Sequence, residues 1–293
     1  MEKTSRRAFL RNAALACTAT TIPNSLQDLY RPMKHLGVQL WSVREDMNKN
    51  PSGTLEAIAG MGYKEVEAFG YNDGKMFGLS TTEYIKVLKN NGLKMPSAHC
   101  GFSISDYSEA GGLSDKAKKA IDAAVAMGQK YIIYPWVPDV ERKEVKKITQ
   151  VAAAAAQYAQ KAGIKFGYHN HDFEFIQRGP DGRLLMEWLL QEIDPKLISF
   201  EMDLYWVCYA NQKPTEWFKR FPGRWHLCHA KDMAKTEKRE TVEFGDGSID
   251  FVSIFRQSKL AGLKYYIIEL EHYKTTPMQG IGRARKNLVG LDW

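Results

Sequence analysis

The sequence alternates short, strand-like apolar runs with longer runs of helical periodicity, and this alternation constrains its fold more than any other feature. In the longer runs apolar residues recur at intervals of three and four, as on the buried side of a helix. The strand candidates are residues 36–41, 63–68, 93–99, 131–136, 164–169, 198–203, 225–230 and 265–269. Helix candidates between them include residues 52–61, 81–91, 114–127, 145–162, 184–192 and 249–260.

Glycine marks the same joint in several of these repeats. Gly62, Gly92, Gly163 and Gly262 each follow a helix candidate and precede a strand candidate. Glycine just past a helix end adopts the left-handed conformation that closes the last turn. The recurring joint indicates one structural unit, a strand followed by a helix, used repeatedly.

Strands that alternate with helices predict a parallel sheet, and eight such units predict a closed (β/α)8 TIM barrel, an α/β fold. We expect it to form one domain over residues 31–293. An open dinucleotide-binding sheet would carry GxGxxG after an early strand, and a phosphate-binding loop would carry GxxxxGK[ST]. Neither motif occurs in the sequence.

Composition and charge support a water-soluble protein without a nucleic-acid partner. Hydrophobic residues make up 44% of the 293 residues and charged residues 26%, which is typical of globular proteins. The net charge is +7, but residues 1–30 contribute four basic and two acidic residues, which leaves +5 for the rest. After the N-terminal segment no run approaches the ~20 apolar residues needed to span a bilayer.

Residues 1–30 predict export from the cytoplasm, with the periplasm as the destination. Residues 5–11, SRRAFLR, resemble a twin-arginine export signal, and a small, mildly apolar run follows. The alternative is an amphipathic N-terminal helix. Lipid anchoring at Cys17 is a weaker possibility, because the preceding residues match a lipoprotein cleavage site only in part. The four cysteines show no CxxC spacing, so we expect buried thiols rather than a zinc site.

Polar residues end most of the predicted strands, at the end of the barrel where such folds place their active sites. They are Glu67, His99, His169, His171, Asp203, His229 and Glu269. A single histidine there is commonly structural, but carboxylates are rarely buried unless they are paired or bind a metal. Asp203 and Glu269 should therefore point into the barrel mouth. With a histidine they would form a site for one divalent ion: Mn²⁺, Mg²⁺, Co²⁺ or Zn²⁺.

Four segments resemble the xylose-isomerase-like sugar phosphate isomerase/epimerase family, which includes inosose dehydratases. The segments are HNHDFEF at 169–175, EMDLYW at 201–206, HAKD at 229–232 and IIE at 267–269. The resemblance implies a TIM barrel with one divalent metal, held by Asp203, His229, Glu269 and an acidic residue after the fifth strand. We expect Glu174 to be that fourth ligand, with His169 and His171 as alternatives.

The family resemblance also implies a reaction: isomerisation or epimerisation of a sugar by removal of a proton next to a carbonyl, with the metal stabilising the enediolate. His169 and His171 are the predicted acid/base residues. The predicted substrate contacts are Glu67, His99, Trp206 and Lys231. For Lys231 the alternative is a surface ion pair with Asp232.

Three other functions compete with this prediction. A lyase that expels water or a glycosidic oxygen from a keto-sugar would use the same residues. A non-catalytic sugar-binding barrel would have lost a ligand. A DNA-repair nuclease on the same barrel would need further His and Glu ligands. Export favours a free or oxidised sugar over a sugar phosphate as the small-molecule substrate; the sequence leaves the oligomeric state open.

Overall fold

Eight short, largely apolar segments pair side by side as parallel strands and close into a barrel in this computed structural model, which describes residues 35–293. Strand β1 pairs with β8 on one side and β2 on the other, which completes the ring. The predicted (β/α)8 barrel is therefore confirmed. The strands are β1 Leu36–Gln39, β2 Glu65–Ala68, β3 Lys94–His99, β4 Tyr131–Tyr134, β5 Lys165–His169, β6 Ile198–Asp203, β7 Trp225–Ala230 and β8 Tyr265–Ile268.

Helices connect the strands around the outside of the barrel. They are α1 Arg44–Lys49, α2 Pro51–Gly60, α3 Thr81–Asn90, α4 Asp115–Ala126, α5 Val145–Ala162, α6 Leu185–Glu192, α7 Leu204–Tyr209, α8 Pro214–Arg220, α9 Phe251–Phe255, α10 Ser258–Ala261 and α11 Pro277–Val289. The helix predicted at 249–260 is divided into α9 and α10. Short 3-10 turns span Leu40–Val43, Ile104–Asp106 and Phe173–Phe175.

The loops that follow β2, β3 and β7 each contain a small antiparallel hairpin. They pair Lys75–Met76 with Leu79–Ser80, Tyr107–Ser108 with Gly112–Leu113, and Asp232–Met233 with Thr241–Val242. The predicted export signal, residues 1–30 with Cys17, lies outside the described residues. In the described part of the chain no helix is long and apolar enough to cross a membrane.

Side chains inside the barrel form an apolar layer below a polar one. The apolar layer consists of Tyr131, Ile133, Leu227, Tyr265 and Ile267, all buried. Because side chains alternate along a strand, residues two positions further on point into the same interior. The apolar layer therefore forms a floor, and the polar residues above it face the C-terminal ends of the strands.

The four predicted joint glycines all have positive φ, between 63° and 90°. Gly262 is the most constrained, because a Cβ there would lie 3.0 Å from the Gly223 Cα.

We expect Gly262→Ala to lower the free energy of unfolding by about 1–2 kcal/mol or more, since alanine disfavours the left-handed region and would also contact Gly223. Gly60→Ala is the matched control, because Gly60 ends helix α2 and a Cβ there meets no atom within 4 Å. That change should be neutral or stabilising by up to about 1 kcal/mol. Urea denaturation followed by circular dichroism measures both. An equal loss of stability in both variants would contradict the conclusion that the backbone at position 262 requires glycine.

Candidate metal centre and active site

Three predicted ligands from the last three strands converge at the mouth of the barrel. Asp203 ends β6, His229 lies in β7 and Glu269 directly follows β8; one ligand atom from each lies within 4.8 Å of the others. His229 Nδ1 is 2.9 Å from Glu269 Oε2 and 4.0 Å from Asp203 Oδ2. Ligands bound to one ion through bonds of about 2.1 Å lie roughly 3–4 Å apart, so this spacing suits a single metal. We call these three residues the outer group.

The chemistry of the outer group also fits a cation. Asp203 Oδ2 is buried and has no hydrogen-bond partner among the described residues. Burial raises the pKa of Asp203 to about 7; Lys231 opposes this rise and the neighbouring Glu269 adds to it. Burial would also raise the pKa of Glu269, but Lys231 and His229 hold it well below its usual value. A divalent ion would favour the ionised form of both carboxylates.

Two fully buried carboxylates, Glu67 and Glu201, lie below the outer group and orient His229 and the neighbouring His169. Glu67 Oε1 is 2.8 Å from His229 Nε2 and accepts a hydrogen bond from the Gln39 amide at 2.8 Å. The other ring nitrogen of His229, Nδ1, therefore faces Asp203 and Glu269. Such carboxylate–histidine pairs commonly support a metal-binding imidazole.

Glu201 acts on His169 in the same way. Glu201 Oε2 is 3.0 Å from His169 Nδ1, which leaves His169 Nε2 at 3.9 Å from Asp203 Oδ2. His169 is thus the residue after β5 that lies beside the predicted ligands. Glu201 was missing from the sequence-based site, although its signal was present: it lies two residues before Asp203, on the same face of an apolar strand.

Glu174, the expected fourth ligand, lies elsewhere, and this corrects the prediction. Its carboxylate accepts hydrogen bonds from the Tyr168 hydroxyl and the His171 backbone N–H, both at 2.8 Å. Tyr168 precedes His169 in β5, so alternation directs it to the other face of the sheet. Burial raises the pKa of Glu174 to about 8. Through these two hydrogen bonds, Glu174 holds the turn after β5 against that strand.

His99 lies between the two buried carboxylates. His99 Nε2 is 2.9 Å from Glu201 Oε2 and 3.1 Å from Glu67 Oε1. Burial would lower the pKa of His99, but these two carboxylates raise it to about 9. His99, His169, Glu201 and His229 also satisfy the geometry of a metal site, which we call the inner group. We favour the outer group because its three residues are the metal ligands that the family resemblance implies; a buried carboxylate oxygen without a hydrogen-bond partner in the described chain occurs in both groups, at Asp203 Oδ2 and Glu201 Oε1.

A cavity of about 620 Å³ opens above the outer group. Its size lies within the range of small-molecule sites. Trp41 and Trp136, each about two-fifths exposed, contribute aromatic surface to its walls. The lining includes Trp41, Phe69, His99, Trp136, Arg142, His169, His171, Trp206, Glu269 and Glu271.

His171 presents an imidazole to this cavity. Its ring packs 4.7 Å from the ring of Trp136 and 5.4 Å from that of Trp206. Its Nδ1 has no hydrogen-bond partner among residues 35–293. Burial, with a contribution from Lys231, lowers the pKa of His171 well below its usual value, so the ring is neutral.

Two predicted substrate contacts, Glu67 and Lys231, do not line the cavity. Glu67 is held below the outer group, as described above. Lys231 is almost fully buried, with Nζ at 3.1 Å from Glu269 and 2.5 Å from Glu271. Both residues position the site instead. The alternative surface pair of Lys231 with Asp232 is also wrong, because Asp232 accepts backbone N–H groups from the loop at 245–249.

Arg142 is a cavity residue that sequence analysis missed. Its guanidinium carbon lies 4.3 Å from the ring centre of Trp136 and 4.0 Å from that of Phe173. It also pairs with Asp139 at 2.8 Å. Arg142 lies in a loop without regular structure, so no periodic pattern marked it.

A family model described as a xylose isomerase-like TIM barrel matches residues 55–289. The chain belongs to this family. The resemblance identified from the four sequence segments is thereby confirmed. Comparison with curated proteins finds no match.

Several solved structures share the fold of this chain across most of their length. A sugar phosphate isomerase/epimerase from Parabacteroides distasonis is 27% identical, with a TM-score of 0.75 over 88% of this chain and 94% of its own. A second sugar phosphate isomerase/epimerase from the same organism is 26% identical, with a TM-score of 0.77 over 88% and 98%. The IolI protein, solved with a bound zinc atom, is 16% identical and shows the shared fold, with a TM-score of 0.65 over 87% and 96%.

We expect Asp203→Asn to abolish binding of one equivalent of divalent metal, because Asp203 belongs only to the outer group. His99→Gln is the matched control, because His99 belongs only to the inner group, and this variant should retain the metal. Metal content after loading with Mn²⁺, Co²⁺ or Zn²⁺ and dialysis measures the difference. The reverse pattern would assign the metal to the inner group.

Glu67→Gln should weaken metal binding by about 10–100-fold, since it removes the charge that fixes the His229 ring. Glu65→Gln provides the control: Glu65 lies in the same strand, but its carboxylate contacts His35 at 2.7 Å near the strand's start. Calorimetric titration with Mn²⁺ gives both affinities. Unchanged affinity in Glu67→Gln would rule out the orienting role.

Proposed function

We propose that this protein is a divalent-metal-dependent isomerase or epimerase that acts on a sugar by moving a proton next to a carbonyl. The main support is one observation: Glu269 of the outer group lines the same cavity as His169 and His171. Membership of a family with isomerase/epimerase structures agrees with this function.

The cavity walls favour a sugar without a phosphate. Trp41, Trp136 and Trp206 offer aromatic faces against which the C–H faces of a sugar ring can pack. Within the described lining, Arg142 is the only lysine or arginine, and Asp139 already pairs with it. A phosphate dianion would instead call for several free donors. The sugar phosphates named for the Parabacteroides proteins are therefore not carried over.

Different residues of the protein would bind the metal ion and transfer the proton. Asp203, His229 and Glu269, with His169, would hold the ion, which supplies Lewis acidity at a substrate oxygen. His171 removes the proton from the carbon beside the carbonyl, since its imidazole is neutral and lies in the cavity. Isomerisation returns that proton to the former carbonyl carbon, and epimerisation returns a proton to the same carbon from its other face.

A second candidate, elimination from a keto-glycoside, is favoured by the size of the cavity. About 620 Å³ with two exposed tryptophans offers space beyond a single sugar ring. The first step would be the same proton removal. The C–O bond to the β-substituent would then break, the released oxygen would take a proton, and an unsaturated ketone and an alcohol would result.

Incubation of the metal-loaded protein in D₂O with free sugars, 3-keto-sugars and glycosides tests the proposal. We expect NMR to show deuterium at a carbon next to a carbonyl, with an isomerised or epimerised product. Release of an alcohol would identify the lyase instead. Absence of exchange with every candidate, in protein that retains its metal, would favour the sugar-binding barrel.

His171→Asn should lower the exchange rate by about 10²–10⁴-fold and leave metal content unchanged, because it removes the base alone. His169→Asn should lower both, since His169 lies beside the outer group. Single-turnover exchange and metal analysis of the two variants separate these roles. Full activity of His171→Asn would exclude His171 as the base.

A further inference from the structure

The loops that enter strands β2–β8 share a basic residue at the same position. Each carries a lysine or arginine within two residues of the strand's first residue. Only the loop before β6 also carries a carboxylate, that of Asp194, which is exposed. We call this set the basic rim: Lys64, Lys94, Lys130, Lys165, Lys196, Arg224 and Lys264.

Backbone hydrogen bonds place these residues side by side around the N-terminal end of the barrel. The Lys94 N–H donates to the Lys64 carbonyl at 2.9 Å, and the Lys165 N–H donates to the Lys130 carbonyl at 3.0 Å. The Lys264 N–H donates to the carbonyl of His226, two residues after Arg224, at 2.9 Å. The rim thus follows the strand order, at the end opposite the candidate active site.

Few negatively charged groups lie close to the lysines of the rim. All six are exposed, and none lies within 4.0 Å of a carboxylate of the described residues. Glu65, the nearest buried carboxylate in sequence to Lys64, is bound to His35 at 2.7 Å. Partial burial and repulsion from Lys165 lower the pKa of Lys264, whereas the Tyr265 hydroxyl and, after it, Glu65 raise the pKa of Lys130.

The centre of the rim is filled mainly by tyrosine side chains, with one buried carboxylate, that of Glu65, near Lys94 and Lys130. The Lys130 ammonium donates to the Tyr265 hydroxyl at 3.0 Å, and the Lys165 ammonium lies 5.7 Å from the ring centre of Tyr131. Tyr131 and Tyr265 belong to the apolar floor of the barrel. The rim is therefore a broad positive face, which fits an extended anionic surface better than a small anion held in a pocket.

The chain also enters the barrel at this face. The His35 carbonyl, directly before β1, accepts a hydrogen bond from the Tyr266 N–H at 3.0 Å.

We propose that the basic rim docks on the anionic headgroups of a lipid bilayer, with the mouth of the active site facing away from it. This inference does not depend on the proposed reaction. Juxtaposed lysines attract anionic lipids additively, each by about fivefold in affinity, and salt weakens the attraction.

Co-sedimentation of the full chain with vesicles tests this interaction. Vesicles of phosphatidylglycerol and phosphatidylcholine are compared with phosphatidylcholine alone, at low and high salt. The rim variant Lys130→Glu/Lys165→Glu/Lys264→Glu should lose about hundredfold or more of the affinity for anionic vesicles. The matched control Lys86→Glu/Lys119→Glu/Lys146→Glu changes the net charge equally on exposed positions of α3, α4 and α5, and should bind far better than the rim variant.

Circular dichroism establishes that each variant is folded, and Lys130→Gln/Lys165→Gln/Lys264→Gln serves if the charge reversal disturbs folding. Equal losses in the rim and control variants would reduce the effect to net charge and overturn the proposal. So would equal binding of the wild-type chain to neutral vesicles. Rim-dependent binding to soluble dextran sulfate without binding to vesicles would also overturn it, in favour of a polysaccharide partner.

Discussion

The hydrogen bonds between the buried carboxylates Glu67 and Glu201 and the histidines above them are the interaction on which the candidate site depends. Burying two carboxylates is costly unless hydrogen bonds compensate for the lost hydration. Glu67 Oε1 is partnered by Gln39 and His229, and Glu201 Oε2 by His99 and His169, while the second oxygen of each carboxylate has no partner among the described residues. These bonds also fix which imidazole nitrogen of His229 and of His169 is directed towards Asp203. The same interactions therefore hold the two carboxylates and orient the candidate metal ligands.

The parallel barrel explains why the two ends of the molecule differ in charge. Every strand runs in the same direction, so residues that begin strands meet at one end and residues that finish strands meet at the other. Lysines such as Lys130 and Lys264 begin strands, whereas Asp203 and Glu269 finish them. The apolar floor, including Ile133 and Ile267, separates the two charged layers. One topology thus gives each end its own chemistry.

The sequence predicts the fold and the strand-end positions of most candidate ligands because both depend on local signals. The eight apolar runs and joint glycines such as Gly163 specify the repeat, and polar strand ends locate Asp203 and His229. The fates of Glu174 and Glu67 depend on three-dimensional packing instead. The 3-10 turn at Phe173–Phe175 brings Glu174 to the Tyr168 hydroxyl, and Glu67 is fully buried against His229 below the cavity. The spacing of residues along the chain does not predict either of these two positions.

The histidine at position 169, where the family resemblance implied an acid, is consistent with the charge balance of this site. Five carboxylates lie in or beside the outer group: Glu67, Glu201, Asp203, Glu269 and Glu271. Lys231 and His99 compensate two of these charges. A further carboxylate would increase the excess of negative charge. Burial already raises the pKa of Asp203 to about 7. A neutral imidazole adds a metal ligand without adding charge, so a dication can nearly balance the cluster.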